Sequence, residues 1–258
     1  MRRRTALAAT LALPGAVRAL PPARLHIGFA VGYAPFSEVG SDGELQGFEI
    51  DLAKALCERL HARCLPVILD FDGLIPALLS RKIDAIMASM AVTAAREQVI
   101  AFSAPYYYSP ARLVAAHDSR LNVSPSGLRG KRIGVERGTV HERFLAEVFK
   151  DSQIVRYGTQ DQVFLDLKSG RLDAALADAV IANFGFLNKP EGRGFGFVGP
   201  DFREPQYFGK GIGIGLRKVD APGLGRQFDQ ALAALRGSGA LKALNDRYFS
   251  LDLVSPPR

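Results

Sequence analysis

Apolar residues in the first half of the chain follow two alternating patterns. Short, mainly apolar runs, which are typical of buried strands, occur at 25–30, where His26 interrupts the run, and at 64–68 and 83–87. Between the first two runs, apolar residues recur three and four positions apart over 52–60, which predicts an amphipathic helix. A further helix is predicted through Leu79, with Asp70 or Asp72 as its N-cap. Strands that alternate with helices indicate a parallel or mixed sheet covered by helices.

The second half of the chain repeats this pattern. It predicts strands and helices at 132–135, 141–149, 154–157, 162–167 and 172–176. One echo is visible in the residues themselves, because Ser-Arg-Lys-Ile-Asp-Ala-Ile at 80–86 corresponds to Ser-Gly-Arg-Leu-Asp-Ala-Ala at 169–175. Helix-to-strand turns favour such residues in any case. Two similar α/β units nevertheless fit the length of 258 residues better than one long sheet.

Two segments connect these units. Residues 109–116 predict an extended crossing into the second unit, and the glycine-rich segment 206–217 returns the chain to a helical stretch at 224–248. A first lobe completed by the C-terminal part, with a second lobe inserted into it, predicts a hinge and a cleft. We assign the chain to lobe 1 at 20–108 and 212–258, to lobe 2 at 112–202, and to hinges near 109–111 and 203–211.

The N-terminal segment has the features of a secretory signal peptide. Arg2, Arg3 and Arg4 precede the apolar stretch 5–17, and small residues precede a cleavage site near Leu20. The apolar stretch is shorter than the roughly 20 residues that a transmembrane helix needs. We therefore expect residues 1–19 to be removed and the mature protein to be secreted and soluble.

The basic charge of the chain does not indicate a nucleic-acid partner. The formal net charge is +7, but four of the 33 basic residues lie in the signal segment, which leaves 29 basic against 26 acidic residues. That balance is ordinary for a solvated surface. No dense run of Lys and Arg interleaved with aromatic residues remains, so we expect no nucleic-acid binding.

The two cysteines, Cys57 and Cys64, favour a disulfide. A secreted chain enters an oxidising compartment, and a pair of cysteines without neighbouring histidines is a poor zinc site. Closing so short a loop would stabilise the fold by about 2–3 kcal/mol. We expect neither a metal nor a cofactor.

Catalytic signatures are missing from the chain, but polar residues occur at the ends of predicted strands. The sequence contains no G-x-S-x-G, no H-E-x-x-H and no Gly-Lys followed by Ser or Thr. Open α/β sheets bind ligands at the carboxyl ends of their strands. After the strand at 83–87, Thr93 can cap a helix whose free amides attract an anion, and Arg96 can grip a carboxylate.

Two further strand ends offer polar groups. Glu136 and Thr139 follow the strand at 132–135, and Asp178 follows the strand at 172–176, where it could hold an ammonium group or only cap the next helix. Simpler interpretations of the other candidates stay open: Arg96 as a solvated helix arginine, Tyr33 and Phe71 as core aromatics, and Glu136 and Arg137 as a surface ion pair.

Taken together, these motifs closely resemble the bacterial solute-binding proteins of the polar amino-acid type, particularly the lysine/arginine/ornithine- and histidine-binding receptors. The resemblance spans nearly all of the chain after the signal segment. It is carried by Tyr-Ala-Pro-Phe at 33–36, Gly-Phe-Glu-Ile-Asp-Leu at 47–52, Cys57 with Cys64, and the segments 70–76, 82–86 and 170–176.

The resemblance implies a two-lobed periplasmic binding protein fold of type II, with a mixed sheet in each lobe and a two-strand hinge. It also implies a periplasmic, non-enzymatic and monomeric receptor that delivers a small amino acid to the membrane subunits of an ABC transporter. Arg96 and the segment 89–93 would hold the ligand α-carboxylate, and Asp178 the α-ammonium group. The full set of implied ligand-binding residues is Tyr33, Phe71, Ser89, Met90, Ala91, Arg96, Glu136, Thr139, Val140 and Asp178.

The sequence departs from the family pattern inside the side-chain pocket. Ala30 stands where receptors for basic amino acids place an acid, and Ala88 and Ala91 replace family serines. Glu136 stands where relatives have an apolar wall residue, and Val140 replaces a hydroxyl residue. We hypothesise that Glu136 supplies the missing carboxylate from the opposite lobe, because an unpaired buried carboxylate would be costly without a cationic ligand.

Two alternatives to this hypothesis stay open. Glu136 could pair with Arg137, in which case the pocket would take a neutral or opine-like ligand. The chain could also be an enzyme on the same scaffold, resembling the cyclohexadienyl dehydratases that act on prephenate or arogenate, with Glu136 as the general acid.

Overall fold

The protein folds into two α/β lobes, each built on a five-stranded mixed sheet. The computed structural model describes residues 24–256, so the predicted signal peptide at 1–19 lies outside the described residues. The two-lobed α/β fold expected from the sequence is confirmed.

Twelve strands are described within residues 24–256: β1 (Arg24–Phe29), β2 (Glu38–Val39), β3 (Leu45–Gln46), β4 (Arg63–Ile68), β5 (Ala85–Ile86), β6 (Ala101–Phe102), β7 (Ala111–Ala116), β8 (Arg132–Glu136), β9 (Gln153–Tyr157), β10 (Ala174–Asp178), β11 (Phe195–Phe202) and β12 (Gly215–Leu216). The helices in the same part of the chain are α1 (Phe48–Arg59), α2 (Leu74–Leu79), α3 (Ala94–Glu97), α4 (Val140–Val148), α5 (Gln160–Lys168), α6 (Pro205–Phe208), α7 (Arg226–Gly237) and α8 (Ala240–Tyr248). Shorter 3₁₀ and π-helical turns lie at Phe71–Gly73, Ile181–Leu187, Pro190–Gly192, Lys218–Asp220 and Ala221–Gly225.

The sheet of the first lobe has the strand order β4-β1-β5-β12-β6. Strand β1 pairs in parallel with β4 and β5, whereas β12 pairs antiparallel with β5 and β6. Parallel strands need covering helices. Helix α1 provides one of them by burying the apolar face that includes Leu52 and Leu56. The predicted disulfide between Cys57 and Cys64 is present, and it joins α1 to β4 across a Cα separation of 6.1 Å.

The sheet of the second lobe has the strand order β11-β7-β10-β8-β9. Strands β8, β9 and β10 are parallel, and β7 pairs antiparallel with β10 and β11. Since parallel strands point their carboxyl ends to one edge, Glu136 at the end of β8 and Asp178 at the end of β10 lie at the same edge. This edge faces the first lobe.

The chain passes between the two sheets twice. It leaves the first sheet after β6 and enters the second at β7, and it returns between β11 and β12. We propose that the hinges lie near 109–111 and 203–211, within these two connections. The lobes also touch through the π-helical turn at Ile181–Leu187, where Phe184 meets Phe249 at 5.5 Å between ring centroids. One hydrophobic cluster therefore contains residues of both lobes.

Two details of the sequence-based prediction are wrong. Strand β11 was not predicted, because two glycines and a proline within Phe195–Phe202 disguise its apolar residues. The helix after Asp70 has no aspartate cap either: Asp70 holds the N-cap position without a side-chain bond, and Asp72 accepts a hydrogen bond from Arg137. In the described part of the chain, no helix combines the length and apolar character that a membrane crossing requires.

Candidate ligand-binding cleft

A cavity lies between the two lobes, and about 440 Å³ of its space is not filled by protein atoms, part of it open to solvent. Clefts between lobes that are lined by aromatic and a few polar side chains are common sites for small molecules. Nine of the ten residues implied by the family resemblance line it: Tyr33, Phe71, Ser89, Ala91, Arg96, Glu136, Thr139, Val140 and Asp178.

Met90 is the candidate that does not reach the cavity. Its side chain is 0% exposed and belongs to the core cluster beneath β5. Its carbonyl accepts a hydrogen bond from the backbone N–H of Gly213 at 3.2 Å. Ala30 belongs to the same core cluster and is 7% exposed, and it is not among the residues that line the cavity.

Arg96 is held in the cleft by its own surroundings. Thr93 caps the short helix α3 by accepting a hydrogen bond from the backbone N–H of Arg96 at 3.3 Å. The guanidinium donates from Nη1 to the carbonyl of Ala91 at 3.1 Å and from Nη2 to the carbonyl of Gly138 in the other lobe at 3.3 Å. It also lies 5.3 Å from the ring centroid of Phe71, within cation–π range. Arg96 is therefore not a solvated helix arginine.

Burial lowers the pKa of Arg96 to about 10, so the guanidinium stays positive at neutral pH. Two nitrogens of the guanidinium donate to backbone carbonyls, and these bonds fix the orientation of the group at the wall of the cavity. A fixed guanidinium that lines a cavity is a binding site for a carboxylate.

A buried network lies behind the segment that leads to Arg96. Glu49 is 0% exposed, and its Oε1 accepts hydrogen bonds from the backbone N–H of Ser89, at 2.7 Å, and from the hydroxyl of Tyr106. Ser89 has a φ of 51°, a left-handed conformation that is uncommon for serine. Burial raises the pKa of Glu49 to about 7. The glutamate of the family signature thus holds the turn from which the cleft residues project.

Asp178 closes the cleft from the end of β10. Its Oδ1 accepts hydrogen bonds from the hydroxyl of Ser109 at 2.6 Å and from the backbone N–H groups of Val180 at 2.8 Å and Ile181 at 3.4 Å. Asp178 therefore caps the following helical turn, and it lines the cavity as well. Burial raises its pKa to about 6, which leaves it mainly ionised at neutral pH.

Glu136 lines the cavity from the end of β8, and only 3% of its surface is exposed. Within residues 24–256, its carboxylate has no hydrogen bond or ion pair with a protein side chain. Arg137 instead donates from Nε to Oδ2 of Asp72 at 2.5 Å and lies 3.7 Å from Asp70. The surface pair of Glu136 with Arg137 considered from the sequence is therefore wrong.

Two causes raise the pKa of Glu136 to about 8. The larger is burial, and the smaller is the negative charge of Asp161, Asp70 and Asp72. The cleft thus contains a carboxyl group that forms no ion pair with a cation in the described part of the chain.

Contacts across the mouth of the cleft hold the lobes together. Gly138 has a φ of 76°, and a Cβ at this position would lie 2.7 Å from Cβ of Asp72, so only glycine allows this approach. The same Gly138 accepts the interlobe hydrogen bond from Arg96. The described arrangement is therefore closed.

Several lining residues were not identified from the sequence. Ser109, Phe208 and Ile212 come from the two connections between the lobes, and Ala111 at the start of β7 and His141 in α4 come from the second lobe. His141 directly follows Thr139 and Val140, two residues predicted for the site, at the start of α4, which is a signal that could have found it. Burial, followed by the charge of Arg96, lowers its pKa to about 3, so this imidazole is neutral.

The cleft therefore combines one fixed cation, one anchored carboxylate and one unpaired carboxylate with the aromatic side chains of Tyr33 and Phe71. Such a set is complementary to a small zwitterion whose side chain ends in a polar group. In the part of the chain that the structure describes, no three His, Cys, Asp or Glu residues are grouped as metal ligands.

The chain has close relatives among known proteins. It is 42% identical over 231 residues to the L-arginine-binding protein of Pseudomonas aeruginosa, with 89% of each chain covered. It is also 42% identical over 234 residues to the lysine/arginine/ornithine-binding periplasmic protein of Escherichia coli, with 90% of each covered. A solved periplasmic binding protein of Salmonella typhimurium, described as having high arginine specificity, matches with a TM-score of 0.81 at 33% identity, over 88% of this chain and 100% of that one.

The family model that matches the sequence covers residues 25–251, and therefore both lobes and both connections. The resemblance inferred from the sequence motifs is confirmed by this match and by the curated relatives. The chain belongs to the bacterial extracellular solute-binding proteins, family 3.

Proposed function

We propose that this protein is a periplasmic receptor that closes around a cationic amino acid of the arginine, lysine, ornithine and histidine class and presents it to an ABC transporter. The observation that carries the proposal is Glu136, a buried carboxylate inside the cleft that has no side-chain partner among residues 24–256. The binding functions named for the relatives in Pseudomonas aeruginosa and Escherichia coli support it.

One part of the site would bind the α-carboxylate and α-ammonium groups, which all α-amino acids share. Arg96 and the backbone of the segment 89–93 would hold the α-carboxylate, and Asp178 would accept hydrogen bonds from the α-ammonium group. Each of these groups is already fixed by protein hydrogen bonds, which lowers the entropic cost of binding.

The other part of the site would recognise the side chain of the ligand. Tyr33 and Phe71 would flank its aliphatic portion, and Thr139 and Val140 would approach it from the second lobe. Glu136 would pair with a terminal guanidinium, ammonium or imidazolium group. A buried charge without a partner is strongly unfavourable, so a cationic ligand would stabilise the closed state most.

Ligand binding would act by shifting the lobes toward closure. Glu136 and Asp178 belong to the second lobe and Arg96 to the first, so a ligand that contacts all three stabilises only the closed arrangement. The transporter subunits would recognise that arrangement of a monomeric receptor. The predicted signal segment and the disulfide between Cys57 and Cys64 support a periplasmic location.

A panel of amino acids tests the proposal directly. Protein that has been unfolded and refolded, to remove carried-over ligand, is examined by thermal shift and calorimetry with each amino acid. We expect arginine, lysine, ornithine or histidine to raise Tm and bind in the micromolar range or tighter, with compaction in small-angle scattering. The receptor function is wrong if no amino acid gives either effect. Conversion of added prephenate to phenylpyruvate would contradict the non-enzymatic function.

A further inference from the structure

The environment of Glu136 is acidic as well as buried. Asp161 at the start of α5 and Asp70 and Asp72 before α2 all add negative potential at its carboxyl group. Two of these aspartates share Arg137, which lies across the mouth of the cleft and is therefore already engaged. Among the described residues, no side-chain cation is therefore left to pair with a negative charge on Glu136 in the closed cleft, and a cationic ligand would supply one.

The other charged groups of the cleft do not neutralise Glu136 either. Arg96 directs its donors to Ala91 and Gly138, and His141 is neutral because burial lowers its pKa to about 3. Tyr33 lines the same cavity, and burial raises the pKa of its hydroxyl well above the usual value, so it stays uncharged. When the lobes close on an uncharged ligand, the remaining way to avoid a buried unpaired charge is to protonate the carboxylate.

We infer that the cleft also accepts a second class of ligand, uncharged amino acids whose side chain ends in a carbonyl oxygen, and that Glu136 takes up one proton from solvent as the lobes close on them. The inference rests on the proposed function, because it uses the same cleft and the same grip on the α-amino and α-carboxyl groups. With a cationic ligand, Glu136 stays ionised and accepts a hydrogen bond. With an uncharged ligand, the protonated carboxyl donates its O–H to the ligand carbonyl, and one solvent proton is bound for each ligand bound.

The uptake of a proton by Glu136 makes the affinity for an uncharged ligand depend on pH. Solvated glutamates have an ordinary pKa of 4.5, which Glu136 would approach when the cleft opens, whereas burial in the closed cleft raises its pKa to about 8. The complex with an uncharged ligand then holds more protons than the free protein, so affinity falls as pH rises from 6 to 8. A cationic ligand keeps Glu136 ionised in both states, and its affinity changes little over the same range.

Two other buried carboxyl groups titrate in this range but do not distinguish the ligands. Asp178, with a pKa of about 6, would face the α-ammonium group in either complex. Glu49, with a pKa of about 7, lies behind Ser89 and has no access to the side-chain end of the cleft. Their effects on two ligands that differ only at the side-chain terminus therefore cancel in the ratio of the two affinities.

L-Arginine and L-citrulline form the appropriate pair of ligands, because citrulline replaces one terminal nitrogen of the guanidinium by a carbonyl oxygen. Calorimetry at pH 7 in phosphate, HEPES and Tris, which differ in ionisation enthalpy, counts the protons bound with each ligand. We expect roughly 0.9 more protons taken up with citrulline than with arginine. The ratio of citrulline to arginine affinity should fall about tenfold or more between pH 6 and pH 8.

The variant Glu136→Gln supplies the matched control. It preserves the size of the side chain and presents an amide that cannot take up a proton. Citrulline should still bind, without the additional proton and with an affinity ratio to arginine that no longer depends on pH. A wild-type ratio that is constant from pH 6 to pH 8, equal proton counts for the two ligands, or arginine binding with no citrulline or glutamine binding at pH 6 would each overturn the inference. If arginine itself does not bind, the proposed function fails instead.

Discussion

The two charged ends of the cleft are built on different principles. At the end formed by Arg96 and Asp178, the guanidinium of the closed arrangement donates to two backbone carbonyls, and the carboxylate accepts three hydrogen bonds from protein groups. At the other end, Glu136 is 3% exposed and has no protein partner among the described residues. The first end is preorganised and indifferent to the ligand side chain. The second is incomplete until the ligand, or a proton, completes it.

Removing the cation from the preorganised end should have the largest effect. Arg96→Met keeps much of the aliphatic bulk but removes the charge and the hydrogen bond to Gly138 across the cleft. We expect arginine and citrulline to bind about 100- to 1,000-fold more weakly, in line with the loss of a buried charged hydrogen-bond partner. Calorimetry measures both ligands.

Arg143→Met is the control for this change, because Arg143 pairs with Glu147 on the surface of the second lobe and its side chain is 46% exposed. Affinity should be unchanged in that variant. If Arg96→Met reduced the affinity for only one of the two ligands, Arg96 would contact the ligand side chain and would not belong only to the preorganised end.

Neutralising Asp178 should have the next largest effect. Asp178→Asn keeps an oxygen that can accept from Ser109 and Val180, so the cap survives and the negative charge is lost. We expect a loss of about 30- to 100-fold for every amino acid, because the α-ammonium group is common to all of them. Asp246→Asn, in an exposed pair with Lys242 on α8, should bind normally. Retained affinity in Asp178→Asn, measured by calorimetry, would mean that Asp178 is a helix cap only.

The change Glu136→Gln should separate the two ends. Arginine and lysine should bind about tenfold more weakly, because the variant lacks the charge that pairs with their side chains. Citrulline and glutamine should bind at least as tightly as to the wild type, because the amide binds them without taking up a proton. Glu147→Gln changes an exposed glutamate of the same lobe and should leave all four affinities unchanged. Unchanged arginine and lysine affinity in Glu136→Gln would contradict the pairing of Glu136 with the ligand.

The sequence predicted the preorganised end better than the incomplete one, for a physical reason. Thr93 caps its helix and Asp178 follows a buried strand, and both are local features that a pattern of hydrophobic positions reveals. The environment of Glu136 depends on Asp70, Asp72 and Asp161, which are distant in sequence. No local sequence pattern predicts that Arg137 pairs with Asp72, so that Glu136 has no side-chain partner among the described residues.

The same limit explains the residues that were missed. Ser109 and Ile212 lie in the connections between the lobes and reach the cleft only because the two lobes fold together. Met90 was expected at the site because it lies within a family segment, but its side chain is buried in the core of the first lobe. Periodicity identifies which residues are buried, and the tertiary contacts decide which of them border the cavity.

The smallest expected effect concerns the mouth of the cleft rather than either end. Arg137→Met removes the interlobe pair with Asp72 and Asp70, whose side chains are 37% and 67% exposed. Exposed pairs contribute about 0–1 kcal/mol, so closure should be weakened by about two- to fivefold, equally for arginine and citrulline. Arg156→Met, which breaks a pair with Glu142 inside the second lobe, should change Tm but not affinity. Calorimetry at low and high salt tests this, because the difference between wild type and Arg137→Met should shrink as salt screens the pair. If Arg137→Met reduced the affinity for arginine more than the affinity for citrulline, Arg137 would act on the charge of Glu136. The mouth of the cleft would then not be separate from the incomplete end.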